Sequence, residues 1–179
     1  MLNIFKKKDQ GTKVIDKIWM TEENKLKALV EIAQINPDTF FVAWFDDSRN
    51  QLEEIFTKEN LMVQNIISAR QCNGHLVQNN PMIFIEHYPL RGKEEKLFDE
   101  IQRKEILIYS ALDEPLFKRF GGDKIVEMMK QLGMKDTESI ENSMISGAIR
   151  NAQDKIEKKL QMEQTSRSQN DWLSRNLPS

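Results

Sequence analysis

Short apolar runs alternate with amphipathic stretches over the first two thirds of the chain, and this alternation constrains the fold more than any other feature. The run at residues 40–45, Phe-Phe-Val-Ala-Trp-Phe, is long and apolar enough to predict a strand buried on both faces. Further strands are predicted at residues 14–20, 63–69, 82–85 and 105–109. The stretches between the strands carry apolar residues at helical spacing, as in Leu26, Leu29, Val30 and Ala33. Such alternation predicts an α/β fold with a mostly parallel sheet and helices on both faces.

The C-terminal third carries one long apolar stripe. Large apolar side chains recur there every three or four residues around Ala152, at Ile145, Ile149, Ile156 and Leu160. This spacing predicts a long helix from about residue 137. The stripe packs either on its own domain or on another protein, and its four large side chains are candidate partner contacts. We therefore expect a loose tail at residues 1–11, an α/β domain at 12–136, and a long helix with its tail at 137–179.

Trp172 and Leu173 form a second, smaller apolar pair near the C-terminus. This pair either packs back on the domain or serves as a short docking peptide, because terminal segments become ordered only when they are tied down. Trp172 is therefore a further candidate contact.

Composition narrows the classes of function. The chain has 26 basic and 28 acidic residues and a net charge of -2, so we expect no general attraction to nucleic acid. The mixed charges at residues 93–96 indicate a solvated helix face. The single cysteine, Cys72, excludes an intrachain disulfide framework and favours a reducing compartment such as the cytoplasm.

No apolar run in the sequence reaches the length of a membrane span. From Met1 to Lys8, three lysines follow the apolar residues Leu2, Ile4 and Phe5. A solvated end is the simpler interpretation of this segment, and weak contact with an anionic membrane surface is the alternative.

Motifs that carry chemistry are few. No phosphate loop of the form G-x-x-x-x-G-K-[ST], no G-x-G-x-x-G and no G-x-S-x-G occurs. The histidines and the cysteine do not complete a set of metal ligands. Candidate ligand residues are Asp46 and Asp47 after one predicted strand, and Glu86 and His87 after another. These four side chains could form one site, because α/β sheets bind ligands at the carboxyl ends of their strands. Alternatively, the aspartates cap a helix and His87 is an ordinary surface side chain.

The second half of the chain is similar to a known family. Residues 106–125 read Ile-Leu-Ile-Tyr-Ser-Ala-Leu-Asp-Glu-Pro-Leu-Phe-Lys-Arg-Phe-Gly-Gly-Asp-Lys-Ile, and Ala-Gln-Asp-Lys-Ile-Glu follows at 152–157. Upstream, Asp-Lys-Ile-Trp-Met-Thr at 16–21 and Gln-Asn-Ile-Ile-Ser-Ala-Arg at 64–70 are similar to the family's D-x-I-x-x-T and H-N-V-L-N-A-K segments. In this order, the segments resemble the second motor domain of SecA, the preprotein translocase ATPase, and the start of its scaffold helix.

The resemblance implies a RecA-like sheet and a link to protein translocation, with a translocase component or a second copy as partner. It does not extend to ATP chemistry. The family's A-T-N-M-A-G-R-G-T-D should follow Arg70, and its G-R-S-G-R-Q-G-D-P-G should precede Glu105, but neither motif occurs. A counterpart of the first motor domain, which holds the phosphate loop, is also missing. We therefore expect a non-catalytic protein-interaction module without cofactor or metal. The alternative is a nucleotide- or small-ligand-binding protein or a hydrolase that uses the four side chains named above.

Overall fold

A five-stranded sheet forms the body of the protein in the computed structural model, which describes residues 12–77 and 79–177. The strands are β1 (Lys13–Trp19), β2 (Phe40–Ala43), β3 (Ile66–Ser68), β4 (Met82–Phe84) and β5 (Glu105–Ala111). The helices are α1 (Glu22–Ile35), α2 (Asp46–Lys58), α3 (Gly74–Val77), α4 (Arg91–Ile101), α5 (Pro115–Arg119), α6 (Gly122–Gln131), α7 (Ser143–Lys159) and α8 (Gln169–Asn176). The strand order is β1-β5-β4-β2-β3, and every pair is parallel.

Helices cover both faces of the sheet. On one face α4 packs through Leu97, Phe98 and Ile101. On the other face α1 packs through Leu29 and α2 through Leu52. This double covering explains why β2 and β4 are continuous apolar runs rather than alternating ones. The predicted fold class, an α/β RecA-like sheet followed by a long helix, is confirmed.

The third strand is shorter than the sequence suggests. Residues 63–69 have the composition of a strand, but Val63–Asn65 forms a turn of 3-10 helix and Ile66–Ser68 alone joins the sheet. The apolar composition is therefore shared by the strand and by the turn that leads into it.

The long helix begins later than expected, at Ser143 rather than near residue 137. Ahead of it, Ile140 forms an antiparallel bridge with Ile18 of the edge strand β1. The two residues exchange both backbone hydrogen bonds, at 3.0 and 2.8 Å. The side chain of Asn142 then caps α7. The backbone groups of Ile140 are therefore bonded to the edge of the sheet, and the helix begins only after this bridge.

The C-terminal helices lie across the carboxyl ends of the strands. Trp172 of α8 is fully buried there, in a cluster with Phe45 after β2, Tyr88 after β4, Leu116 of α5 and Ile156 of α7. No helix within the described ranges is long and apolar enough to cross a membrane. The tail at residues 1–11, including the segment proposed to touch membranes, lies outside the described residues.

Candidate functional site

Glu86 lies at the carboxyl edge of the sheet, just after β4, and its carboxylate binds the backbone that leads into α2. It accepts hydrogen bonds from the amides of Trp44 and Phe45, each at 3.0 Å, and from the Ser48 hydroxyl at 2.6 Å. Burial raises the pKa of Glu86 to about 7, against the hydrogen bond from Ser48 and the charge of Lys25. Amides at the start of a helix are where a bound anion would be held. Here a side chain of the chain itself takes that place.

His87 is buried between two carboxylates, so its interpretation as an ordinary surface histidine is wrong. One ring nitrogen lies 3.0 Å from Asp16 of β1 and the other lies 3.0 Å from Glu94 of α4. Burial alone would lower the pKa of His87, but the charge of Glu94 and the hydrogen bonds that the ring donates to Asp16 and Glu94 raise it to about 10. The imidazole is therefore charged at neutral pH, and neither nitrogen is free to act as a base.

Glu94 corrects a second expectation, because residues 93–96 were predicted to form a solvated face. Glu94 is buried, and its second oxygen accepts a hydrogen bond from Gln153 at 2.9 Å. Gln153 also donates to the carbonyl of Tyr88 at 2.8 Å. The Asp16–His87–Glu94 cluster therefore connects β1, the end of β4 and α4, and Gln153 joins α7 to it.

We expect the free energy of unfolding to fall between about pH 7 and about pH 10. The folded pKa of His87 is about 10, whereas an unfolded histidine titrates near about 6.5. The stabilisation from the bound proton is therefore complete below the unfolded pKa and is lost as pH rises through the folded pKa. The pKa of Glu86 is also raised, to about 7, so its contribution to the free energy of unfolding also falls as pH rises, at lower pH than that of His87.

Urea unfolding across this pH range tests the expectation. The His87→Gln variant should show a flatter profile than the wild type, and the exposed control His75→Gln should reproduce the wild-type profile. Parallel profiles for the wild type and His87→Gln would show that the histidine carries no extra proton in the folded state.

A second buried charge cluster lies on the opposite face of the sheet, which the sequence analysis did not identify. The ammonium of Lys25 lies 2.5 Å from a carboxylate oxygen of Glu114 and donates to the carbonyl of Ile85 at 2.9 Å. Burial lowers the pKa of Lys25, but the charge and hydrogen bond of Glu114 outweigh it, so the pKa is raised. Lys25 stands four residues before buried Leu29, so the two side chains lie on the same face of α1. This spacing was the signal in the sequence that could have identified Lys25 as buried.

Asp46 and Asp47 are exposed in the first turn of α2, unlike buried Glu86 and His87. They do not cap the helix, because Phe45 occupies the N-cap position without a side-chain hydrogen bond. The amide of Asp47 donates to the carbonyl of Arg167 at 3.0 Å, in the loop before α8. The four predicted ligand residues therefore do not form one accessible site.

The segment from Glu163 to the end of α8 closes the carboxyl edge of the sheet. The Glu163 carboxylate accepts a hydrogen bond from the indole of Trp172 at 2.9 Å, accepts another from the Tyr88 hydroxyl, and pairs with Lys93. Gln169 donates to the carbonyl of His87 at 3.0 Å. The chain itself thus covers the ends of β2 and β4, which form part of the edge where α/β sheets usually admit ligands.

The predicted partner contacts divide into two groups. Ile149, Ile156 and Trp172 are buried inside the chain, so these three side chains are not available at its surface. Trp172 packs back on the domain, which settles the alternative that the sequence left open. Ile145 and Leu160 remain partly exposed.

A cavity of about 330 Å³ opens between β1, α4 and α7. Asp16 and His87 lie in its wall, together with Arg91 of α4 and Arg150 of α7. Its size falls within the range of small-molecule pockets. Among the described residues, no group of three or more histidine, cysteine or acidic side chains is arranged to hold a metal ion.

No protein-family model matches the chain. Individual proteins do match part of it. Protein translocase subunit SecA of Solidesulfovibrio magneticus is 51% identical over 68 residues, which are 38% of this chain and 8% of that protein. The SecA subunit of a Psychrobacter species is 40% identical over 68 residues, 38% of this chain and 7% of that protein. Protein translocase subunit SecA 1 of Alkaliphilus metalliredigens is 38% identical over 68 residues, again 38% and 7%.

The resemblance to a segment of SecA is therefore confirmed over part of the chain. The chain spans less than a tenth of the length of these relatives.

Proposed function

We propose that the chain is a non-catalytic, SecA-related interaction module that acts in protein translocation. The observation that carries the proposal is the occupied carboxyl edge of the sheet. Glu86 uses the amides ahead of α2, and Trp172 with Glu163 closes the space above them. The similarity to SecA supplies the link to translocation.

The Glu86 carboxylate argues against nucleotide binding at this edge. A phosphate needs free amide donors and a favourable potential at the start of a helix. The amides of Trp44 and Phe45, just before α2, already bind the Glu86 carboxylate, which would repel a phosphate whenever it is ionised. In the first turn of the helix, the amide of Asp47 binds the carbonyl of Arg167.

A small-ligand-binding protein is the second candidate function, and the cavity beside His87 supports it. Buried ionisable groups next to a pocket of this size are common in binding sites. Hydrolysis is less well supported, because both nitrogens of His87 are already engaged by Asp16 and Glu94.

Equilibrium binding to the purified SecA motor of the same organism tests the proposal. We expect saturable binding that a carrier protein of similar net charge does not reproduce, together with no thermal stabilisation by Mg·ATP. A nucleotide present at one hundred times its dissociation constant would stabilise the folded chain by about 2.7 kcal/mol. Absence of SecA binding together with such a shift would favour a nucleotide-binding protein instead.

A further inference from the structure

Helix α6 is amphipathic, and its apolar face is only partly covered: Ile125, Val126 and Met129 pack against the buried cluster that contains Phe117 and Ile149. Gly122 is its only buried residue. Ile125 and Met129 are partly buried, whereas Met128 is 53% exposed and Leu132, just after the helix, is 77% exposed. Monomeric proteins rarely leave such a face in water unless something binds it.

Helix α6 contributes Ile125 to one wall of a shallow apolar recess. Phe117 and Phe120 lie at its base, and Ile145 and Ala148 of α7 form the facing wall. Met144, in the first turn of α7, is 81% exposed. The recess itself holds only about 40 Å³, but exposed Met128 and Leu132 follow Ile125 along the chain, and Met144 stands one helical turn before Ala148. We call the recess together with these three exposed side chains the α6–α7 groove. An apolar surface of this kind between two helices suits the apolar face of a third helix laid across it.

Basic side chains follow the rim of the α6–α7 groove. Lys124 stands one helical turn before Met128, Lys118 lies two residues before Phe120, and Lys155 follows Ala148 by two turns. None of these three lysines forms an ion pair with a described residue.

The acidic residues of α6 lie elsewhere. Asp123 and Glu127 each stand two positions from Ile125, which places them roughly 160–200° around the helix from it. The rim is therefore basic, and a partner with carboxylates beside its apolar face would complement it. A second copy would bring the same lysines into contact across a two-fold axis, which is unfavourable.

We propose that the α6–α7 groove binds an amphipathic helix of a partner protein that carries carboxylates beside its apolar face. The inference rests on the proposed function, because it names the surface through which the module acts. An anionic membrane would also match the charge, but a concave groove fits a helix better than a flat lipid surface.

The probe is a labelled synthetic helix of about 15 residues, with leucines along one face and glutamates beside them. Its matched control carries lysine at every glutamate position. With the full chain, fluorescence anisotropy should show saturable binding of the acidic peptide, at least about tenfold tighter than that of the basic one, and weaker at high salt.

Variants locate the binding surface. Leu132→Ser and Met144→Ser change exposed side chains, so the fold should survive, and each should weaken acidic-peptide binding about fivefold or more. Lys124→Glu should reduce the ratio between the affinities for the acidic and the basic peptide. Ile35→Ser, which changes an 80% exposed side chain at the far end of α1, is the control and should bind as the wild type does.

Several results would overturn the inference. Equal binding of both peptides would remove the role of the lysines. Peptide binding that Leu132→Ser leaves unchanged would place the site elsewhere. If the chain binds phosphatidylserine vesicles and Leu132→Ser abolishes that binding, the groove belongs to a membrane. If the chain self-associates in sedimentation and Leu132→Ser abolishes the association, the groove belongs to a second copy. If both peptides fail while SecA still binds, this inference fails alone; if the acidic peptide binds and SecA does not, the proposed function fails alone.

Discussion

Replacing Trp172 with alanine should lower the free energy of unfolding by about 3–5 kcal/mol. The indole is fully buried among Phe45, Tyr88, Leu116 and Ile156, which come from four separate parts of the chain. Its removal leaves a large cavity in this cluster and takes away the hydrogen bond to Glu163. Urea unfolding followed by far-ultraviolet circular dichroism measures the loss without depending on tryptophan fluorescence.

The control for Trp172→Ala is Met162→Ala, ahead of α8. Met162 is 83% exposed, so this variant should stay within about 0.5 kcal/mol of the wild type. If Trp172→Ala also stays within that limit, α8 does not close the edge of the sheet in solution, and the C-terminal segment is free to act as a docking peptide.

Replacing Lys25 with methionine should lower the free energy of unfolding by about 3–5 kcal/mol as well. Lys25 and Glu114 are each only 4% exposed, and Glu86 lies close enough for its charge to act on Lys25. Removal of the ammonium leaves buried carboxyl groups without their compensating charge. Methionine keeps most of the apolar length of the lysine side chain, so the change in the free energy of unfolding comes mainly from the lost charge.

The matched control for Lys25→Met is Lys27→Met on the same helix. Lys27 pairs with Glu23 at the surface, where the two side chains are 63% and 77% exposed. Exposed pairs contribute about 0–1 kcal/mol. The double variant Lys25→Met with Glu114→Gln should recover part of the lost stability. Equal losses for Lys25→Met and Lys27→Met would show that the buried pair is not formed.

Apolar patterning was enough to predict the framework of the fold. The run at residues 40–45 predicted a strand with both faces covered and the run at 82–85 a further strand, and the structure places α1 and α2 on one face of the sheet and α4 on the other. The start of α7 could not be predicted in this way, because it depends on the bridge between Ile140 and Ile18, which lie far apart in sequence.

The buried charges were harder to predict, because local patterns assign charged residues to the surface. Glu94 sits among alternating charges, yet it stands three, four and seven residues before buried Leu97, Phe98 and Ile101. That spacing places Glu94 on the buried face of α4, and it was the signal available. His87 gave no local signal, because its partners Asp16 and Glu94 come from other elements of the fold.

The C-terminal stripe illustrates a further limit of patterning. Spacing identified the apolar face of α7 correctly, but it could not decide what covers that face. Ile149 and Ile156 pack within the chain, whereas Met144 of the same helix is exposed, as are Met128 in α6 and Leu132 just after it.

Calorimetric titration of the full chain with Mg·ATP, with release of phosphate followed in the same samples, tests the central claim most directly. The amides of Trp44 and Phe45 are bound by Glu86, and the side chain of Phe45 is buried in one cluster with Trp172 of α8. We therefore predict no saturable heat of binding and no phosphate release above that of buffer. A saturable isotherm accompanied by ATP turnover would contradict the assignment of this chain as a non-catalytic interaction module.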